Sequence, residues 1–256
     1  MPETSPPRFP RPFVEEAGQT RALHFARDEV QSRRDVREPH ALYLPYTRMM
    51  MGFLLFVPTP AHIGMIGLGG GSLAKFCHRY LPETRITVVE INPYVIALRD
   101  TFRVPPDDAR FTVLEADGAA FLRETSLRFD VLLVDAYDET GLPEALATQR
   151  FFDDCRGALS DEGMLVVNLH ADHPHHAVHV ERIARSFDGA ALVVDDTARD
   201  NRIVFADPAA PPKTLRLGPL RRPQSVDEPA WRSLQASFAR ILATWRESGP
   251  PTASRG

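Results

Sequence analysis

The sequence predicts an α/β fold: a mostly parallel sheet with helices on both faces and an antiparallel hairpin at one edge. Three observations predict it. Strand-like and helix-like segments alternate between residues 63 and 206. The strand-like segments are continuously apolar, as strands buried on both faces are. The last two, 191–195 and 202–206, follow each other with no helix between, which makes them a hairpin rather than a parallel pair.

The elements are justified in chain order. Residues 1–18 hold five prolines and little apolar area, so disorder is expected. Residues 19–58 read as a reduced N-terminal segment. Within it, 22–36 alternates weakly (Leu23, Phe25, Val30) like a short β-hairpin, and 40–55 reads as a helix behind Pro45. Residues 59–206 form the main domain. Strand 63–67 leads to helix 72–80, and strand 86–90 to helix 93–101. Pro93 suits the first helical turn, where its missing N–H leaves no intrahelical bond unmade. Strand 111–115 leads to helix 118–123, and strand 131–135 to helix 148–159, closed by a turn at 160–163. Strand 164–169 leads to helix 175–187. Residues 207–229 are a proline-rich linker. In 230–246, Trp231, Leu234, Phe238, Ile241, Leu242 and Trp245 recur every three or four residues, the mark of an amphipathic helix. It is expected to pack on its own domain, with a homodimer contact as the alternative.

Composition narrows the class. A chain of 256 residues with 43% hydrophobic and 25% charged residues is ordinary for a globular domain with a sizeable core. A net charge of -4 argues against nucleic acid, which calls for a basic footprint. No apolar run approaches the ~18–20 residues of a membrane span, and residues 1–12 lack a signal-peptide core. The two cysteines, Cys77 and Cys155, fall in separate predicted helices. A disulfide is therefore not expected, and the cytoplasm is the expected compartment.

In a parallel sheet, ligands sit beyond the carboxyl ends of the strands. Four polar signals fall there. Gly67-Leu68-Gly69-Gly70-Gly71-Ser72 follows the first strand, and such glycines let backbone approach a ligand closely. Glu90 ends the second strand about twenty residues later, where an acid suits two ribose hydroxyls. Asp117-Gly118 follows the third strand; Asp117 can accept from an adenine amino group, cap the next helix, or both. Asp135 ends the fourth strand and is followed by Ala136-Tyr137-Asp138. No Lys-Ser/Thr phosphate loop is present, so a nucleoside triphosphate is not expected.

These segments resemble a known family. Ile66 to Gly71, Val88-Val89-Glu90-Ile91-Asn92-Pro93, Ala116-Asp117-Gly118 and Asp130 to Asp138 are similar in order and spacing to the spermidine synthases, the polyamine aminopropyltransferases. The resemblance spans roughly residues 22–206. It implies a Rossmann-like sheet of the class I methyltransferase type. The implied co-substrate is decarboxylated S-adenosylmethionine or S-adenosylmethionine, and the implied partner is a small amine in polyamine biosynthesis. It also implies that Gln31, Gly67, Gly69, Gly71, Glu90, Ile91, Asp117 and Gly118 hold the adenosyl group. Asp135 is then the catalytic carboxylate, and Tyr46, Tyr137 and Asp138 face the amine.

The chain departs from the family pattern twice. The place of an aspartate in the glycine loop falls on Gly70 or Ser72. The His-Glu that follows the family's tyrosine is replaced by Thr47-Arg48, adding a positive charge that would repel a diamine. Arg48 could instead pair with a methionyl carboxylate. An S-adenosylmethionine-dependent methyltransferase is therefore the first alternative, and a non-catalytic adenosyl-binding protein the second. His170, His173, His175, His176 and His179 crowd the segment after the fifth strand. With no recognised ligand spacing they are expected to form a solvated loop, with His170 lining the pocket and no metal.

Overall fold

The computed structural model describes residues 9–25, 30–137, 141–207 and 222–248, with the side chains of Val30, Gln31 and Arg34 left aside. The expected 207–229 linker lies mostly outside them.

The chain opens with three antiparallel strands: β1 (Phe13–Ala17), β2 (Thr20–His24) and β3 (Val30–Asp35), in the order β1-β2-β3. The hairpin expected at 22–36 is the β2–β3 pair. The expectation of disorder over 1–18 is corrected for the strand Phe13–Ala17, while residues 1–8 lie outside the described ones. Phe13–Ala17 pairs residue for residue with Thr20–His24, so backbone pairing recruits a segment with few apolar residues. Helix α1 (Pro45–Met50) starts with proline in its first turn and continues as a 3-10 turn, Met51–Leu55.

The main sheet has seven strands. They are β4 (His62–Ile66), β5 (Arg85–Glu90), β6 (Phe111–Glu115), β7 (Phe129–Val134), β8 (Leu159–His170), β9 (Ala191–Asp195) and β10 (Asn201–Ala206). Their order is β6-β5-β4-β7-β8-β10-β9. The first five are mutually parallel, and β10 runs antiparallel to both β8 and β9. This is the predicted sheet with its edge hairpin. β8 begins earlier than expected: Leu159 pairs with Phe129, then the register jumps to Met164 opposite Val131. Residues 160–163, read as a turn, bulge out within the strand.

Helices α2 (Ser72–Tyr80), α5 (Gly118–Glu124), α6 (Gln149–Ala158) and α7 (His176–Ser186) follow the predicted pattern. The single helix expected at 93–101 is two short ones, α3 (Pro93–Ile96) and α4 (Arg99–Phe102). The break falls at Leu98, whose ψ of 5° leaves the helical range.

The strands show why both faces had to be apolar. Along β7, Val131 and Leu133 enter one core cluster with Met65, Val88, Val166 and Phe205. Leu132 and Val134 enter the other with Ile66, Leu165 and Val167. Side chains alternate between the faces, so both need covering. Each fully buried Val, Leu or Ile contributes roughly 1.5–3 kcal/mol. The C-terminal helix α8 (Glu228–Glu247) buries Leu234, Phe238 and Ile241 in the first cluster, so it packs on its own domain. Asp227 caps it and also accepts from the Tyr80 hydroxyl at 2.9 Å. Both cysteines are free and buried. Among the described residues, no helix is long and apolar enough to cross a membrane.

Candidate active site

The strand order reverses direction at β4: β5 and β6 lie on one side and β7 onward on the other. A cavity of about 1060 Å³ opens beyond the strand ends at this point. That is the volume class of small-molecule sites.

Backbone geometry builds the glycine-rich side. The Gly67 N–H donates to the Val89 carbonyl and the Asp135 N–H to the Ile66 carbonyl, drawing three strand ends together. Gly67 has φ +96°, and a Cβ there would collide with the Asp135 carbonyl oxygen, so no other residue fits. Gly69 lines the cavity, and Gly71 forms the N-terminal cap of α2. Glu90 is buried and braces this loop. Its two carboxylate oxygens accept from the Leu68 and Asn92 N–H groups, each at 2.8 Å. Burial raises the Glu90 pKa, and the backbone N–H bonds oppose the rise. The Gly69 and Ile91 N–H groups also bond the carboxylate, and Glu90 lines the cavity.

Ile91 is 40% exposed and lines the cavity, an apolar surface open to a flat ring. Asp117 takes the capping role. One oxygen caps α5 by accepting from the Ala120 N–H at 2.9 Å, and the residue lines the cavity beside Gly118.

Side chains from distant elements build the other side. Asp135 faces the cavity yet is enclosed by protein. Its Oδ1 accepts from the Asn168 amide at 3.0 Å, and the Tyr46 hydroxyl is a second hydrogen-bonding partner. Burial raises the Asp135 pKa, and these two bonds partly offset the rise. Burial and the nearby Asp135 charge push the Tyr46 hydroxyl well above its ordinary range, so it stays a proton donor. The Tyr137 hydroxyl donates to the Asn168 carbonyl. Its ring stacks on His170, centroids 4.1 Å apart and 7° from parallel. His170 lines the cavity, as expected.

The expected residues thus gather at one cavity, except three. Gly71 caps α2 without lining the cavity, and the side chain of Gln31 and the whole of Asp138 lie outside the described residues. The role weighed for Arg48 is corrected. Its guanidinium donates to the Leu42 and Tyr43 carbonyls, at 2.6 and 3.0 Å, and does not line the cavity. It is not placed to hold a methionyl carboxylate, although its charge reaches Asp196 at the cavity wall. The rings of His173, His175 and His179 lie 5.6–6.5 Å apart. Among the described residues, no group of three or more His, Cys, Asp or Glu is arranged to hold a metal ion.

Sequence reasoning missed three cavity residues. Ser32 is buried against the glycine loop, its hydroxyl 3.5 Å from that of Ser72. Asn168 is 2% exposed, and its Oδ1 has no hydrogen-bond partner. Asp196 follows β9 and is 1% exposed. A polar residue inside or just beyond an apolar strand is the only signal that marked Asn168 and Asp196. The N-terminal segment also reaches the site: Phe9 and Pro10 line the cavity, and the Pro10 carbonyl accepts from the Asn92 side chain at 2.9 Å.

Residues 43–195 match the spermine/spermidine synthase domain. The chain is 37% identical over 250 residues to a polyamine aminopropyltransferase of Neisseria meningitidis, covering 94% of this chain and 91% of that one. It is 38% identical over 207 residues to one of Chromobacterium violaceum, covering 80% and 79%. A probable spermidine synthase from Corynebacterium glutamicum shares the fold at TM-score 0.67 and 20% identity, covering 77% of this chain and 76% of that one. A spermidine synthase in complex with the transition state analogue AdoDATO shares it at TM-score 0.62 and 19% identity, covering 93% and 88%.

Proposed function

The chain belongs to the spermine/spermidine synthase family, and from that premise we propose how its cavity divides the work of aminopropyl transfer. The enzyme is a transferase that moves an aminopropyl group from decarboxylated S-adenosylmethionine to a small amine. In our reading Glu90 receives the ribose hydroxyls, Ile91 covers the adenine and Asp117 accepts from its amino group. Gly67, Gly69, Gly71 and Gly118 let the backbone come close. Gln31 and Asp138 keep the roles the resemblance gives them.

Asp135 acts on the amine. A protonated amine has no free lone pair, so it must lose a proton before it attacks. Asp135 takes that proton. The nitrogen then attacks the methylene carbon beside the sulfonium, the C–S bond breaks, and its electron pair leaves with sulfur as methylthioadenosine. The raised pKa makes Asp135 a better base than an exposed aspartate, while Tyr46 and Asn168 fix its orientation. Tyr46 and Tyr137 wall the place of the amine.

The observation that carries this reading is Asp135 at the end of β7, lining the cavity with its carboxylate held by the Asn168 amide at 3.0 Å and by the Tyr46 hydroxyl. The same reading places the enzyme in a reducing cytoplasm, supported by two free buried thiols. We propose a homodimer, which gel filtration tests.

The test of the function is incubation with either sulfonium donor and a panel of amines, read by mass spectrometry. Aminopropylated amine and methylthioadenosine from the decarboxylated donor are expected. Methylated product from S-adenosylmethionine, with none from the decarboxylated donor, would overturn the reading.

A further inference from the structure

We propose that Asn168 is a catalytic residue of the transfer. Its Oδ1 accepts an N–H of the attacking amine while its Nδ2 holds Asp135, so one amide group couples the nucleophile to its base. This rests on the reading of Asp135 above and adds a contact with substrate that orienting the carboxylate does not require.

The strand pattern places the amide. Side chains alternate along β8. Val167 and Leu169 enter the second core cluster and Val166 the first. Asn168 therefore shares the face of Val166, and Tyr46 of α1 packs against that same first cluster. The backbone of Asn168 is fixed from two sides. β8 pairs with β7, Val167 opposite Val134, and Asn168 itself lies opposite Ile203 of β10. Its carbonyl also accepts from the Tyr137 hydroxyl. An amide within the otherwise apolar run Met164–Leu169 is costly to bury unless its polar atoms are used.

One of those atoms is used within the protein. Nδ2 donates to Asp135 Oδ1 at 3.0 Å. That bond sets which way round the amide lies, because the reverse would turn an oxygen toward a carboxylate, acceptor against acceptor. Asn168 is 2% exposed and lines the cavity, and its Oδ1 has no hydrogen-bond partner. An ammonium on Asp135 brings its remaining N–H groups beside this oxygen. One proton passes to the carboxylate, and an N–H that stays on nitrogen donates to Oδ1. Two neighbouring acceptors then limit rotation about the amine's own C–N bond, which aims the lone pair. That pair forms the new C–N bond as the C–S bond breaks and its electrons leave with sulfur. The Nδ2 bond also opposes the rise that burial gives the Asp135 pKa.

The plain competing role of Asn168 is to orient Asp135 through Nδ2, with Oδ1 facing only water. Steady-state kinetics on Asn168→Ala and Asn168→Asp, with the best amine of the panel, separate the two. The alanine variant removes the acceptor. Its amine KM at saturating donor should rise at least tenfold, with methylthioadenosine affinity unchanged. The aspartate variant keeps an oxygen for the amine but sets a second carboxylate beside Asp135, and like charges raise the pKa. The acid limb of kcat/KM should therefore move up by about one pH unit or more. Above that limb the amine KM should stay within threefold of the wild-type value. A wild-type amine KM in Asn168→Ala overturns the assignment and leaves orientation alone. A tenfold higher KM in Asn168→Asp above its acid limb also overturns it, since the acceptor is still there. Should Asn168→Ala fail to bind methylthioadenosine, Asn168→Leu, close to asparagine in size, supplies the same measurement. Transfer to no amine at all, or a wild-type rate in Asp135→Asn, would overturn the proposed function itself, and this assignment with it.

Discussion

The two sides of the cavity are made in different ways. The side at β4, β5 and β6 is mostly backbone: glycine turns, strand-end amides and Glu90 braced by the Leu68 and Asn92 N–H groups. The side at β7, β8 and β9 is mostly side chain: Tyr46, Asp135, Tyr137, Asn168, His170 and Asp196, drawn from α1, strands and a hairpin turn. The first is fixed by local geometry and presents the same surface to every nucleoside. The second can change its acceptor by substituting single side chains without disturbing the loop. A family can therefore keep one donor and vary the amine.

The sharpest way to break this division is Asp135→Asn. If the side-chain half does the chemistry alone, transfer should fall by ~10²–10⁴-fold, the usual weight of a general base. Methylthioadenosine affinity by calorimetry should stay within about threefold. A variant that transfers at the wild-type rate would show Asp135 to be only a strand-end residue.

Glu90→Ala probes the other half. Hydrogen bonds to a charged group contribute roughly 1.5–3 kcal/mol each, so nucleoside affinity should fall by an order of magnitude or more. The loss should come with a lower Tm, because Leu68 and Asn92 lose their acceptor. Unchanged affinity would remove Glu90 from the nucleoside site and blur the two halves.

Tyr46→Phe gives a smaller and more diagnostic effect. The Asp135 pKa is raised by burial, and the Tyr46 hydrogen bond opposes that rise by stabilising the carboxylate. Activity needs the carboxylate, so kcat/KM should fall as pH drops through the raised pKa. Removing the hydroxyl raises that pKa further. The acid limb of the profile should therefore move to higher pH, with the plateau reduced only severalfold. An acid limb that does not move would mean that Tyr46 does not set the basicity of Asp135.

The difference between the halves also explains what the sequence made legible. The glycine run, Glu90 at a strand end and Asp117 before a helix are close in sequence to the elements that position them. Periodicity located the strands, and the strand ends located the nucleoside side. Asn168 is different: it matters because β8 lies beside β7, a pairing across 33 residues between Asp135 and Asn168. Asp196 matters because β10 folds between β8 and β9, which the alternation of elements does not dictate. Arg48 misled for a related reason. Its position near Tyr46 was legible, but its direction depends on the Leu42 and Tyr43 carbonyls that capture it. β1 was missed because backbone pairing, which sequence composition barely reports, holds it to β2.

The smallest expected effect lies where the N-terminal segment meets the nucleoside half. Deleting residues 1–12 leaves β1 intact, since that strand is Phe13–Ala17. It removes the Pro10 carbonyl that holds the Asn92 side chain and the Arg11 guanidinium, 4.7 Å from the Tyr94 ring centroid. Asn92 caps α3 and donates its N–H to Glu90, so its looseness should reach the ribose site. One ordinary hydrogen bond contributes about 0.5–1.5 kcal/mol, which is roughly a two- to tenfold loss of methylthioadenosine affinity. The Tm should barely move, because the deleted residues include no strand or helix among those described. The amine side should not register the change, so the amine KM at saturating donor should stay at its wild-type value. If Tm falls sharply while nucleoside affinity holds, the segment is a structural strap. If the amine KM rises instead, the boundary between the two halves is drawn in the wrong place.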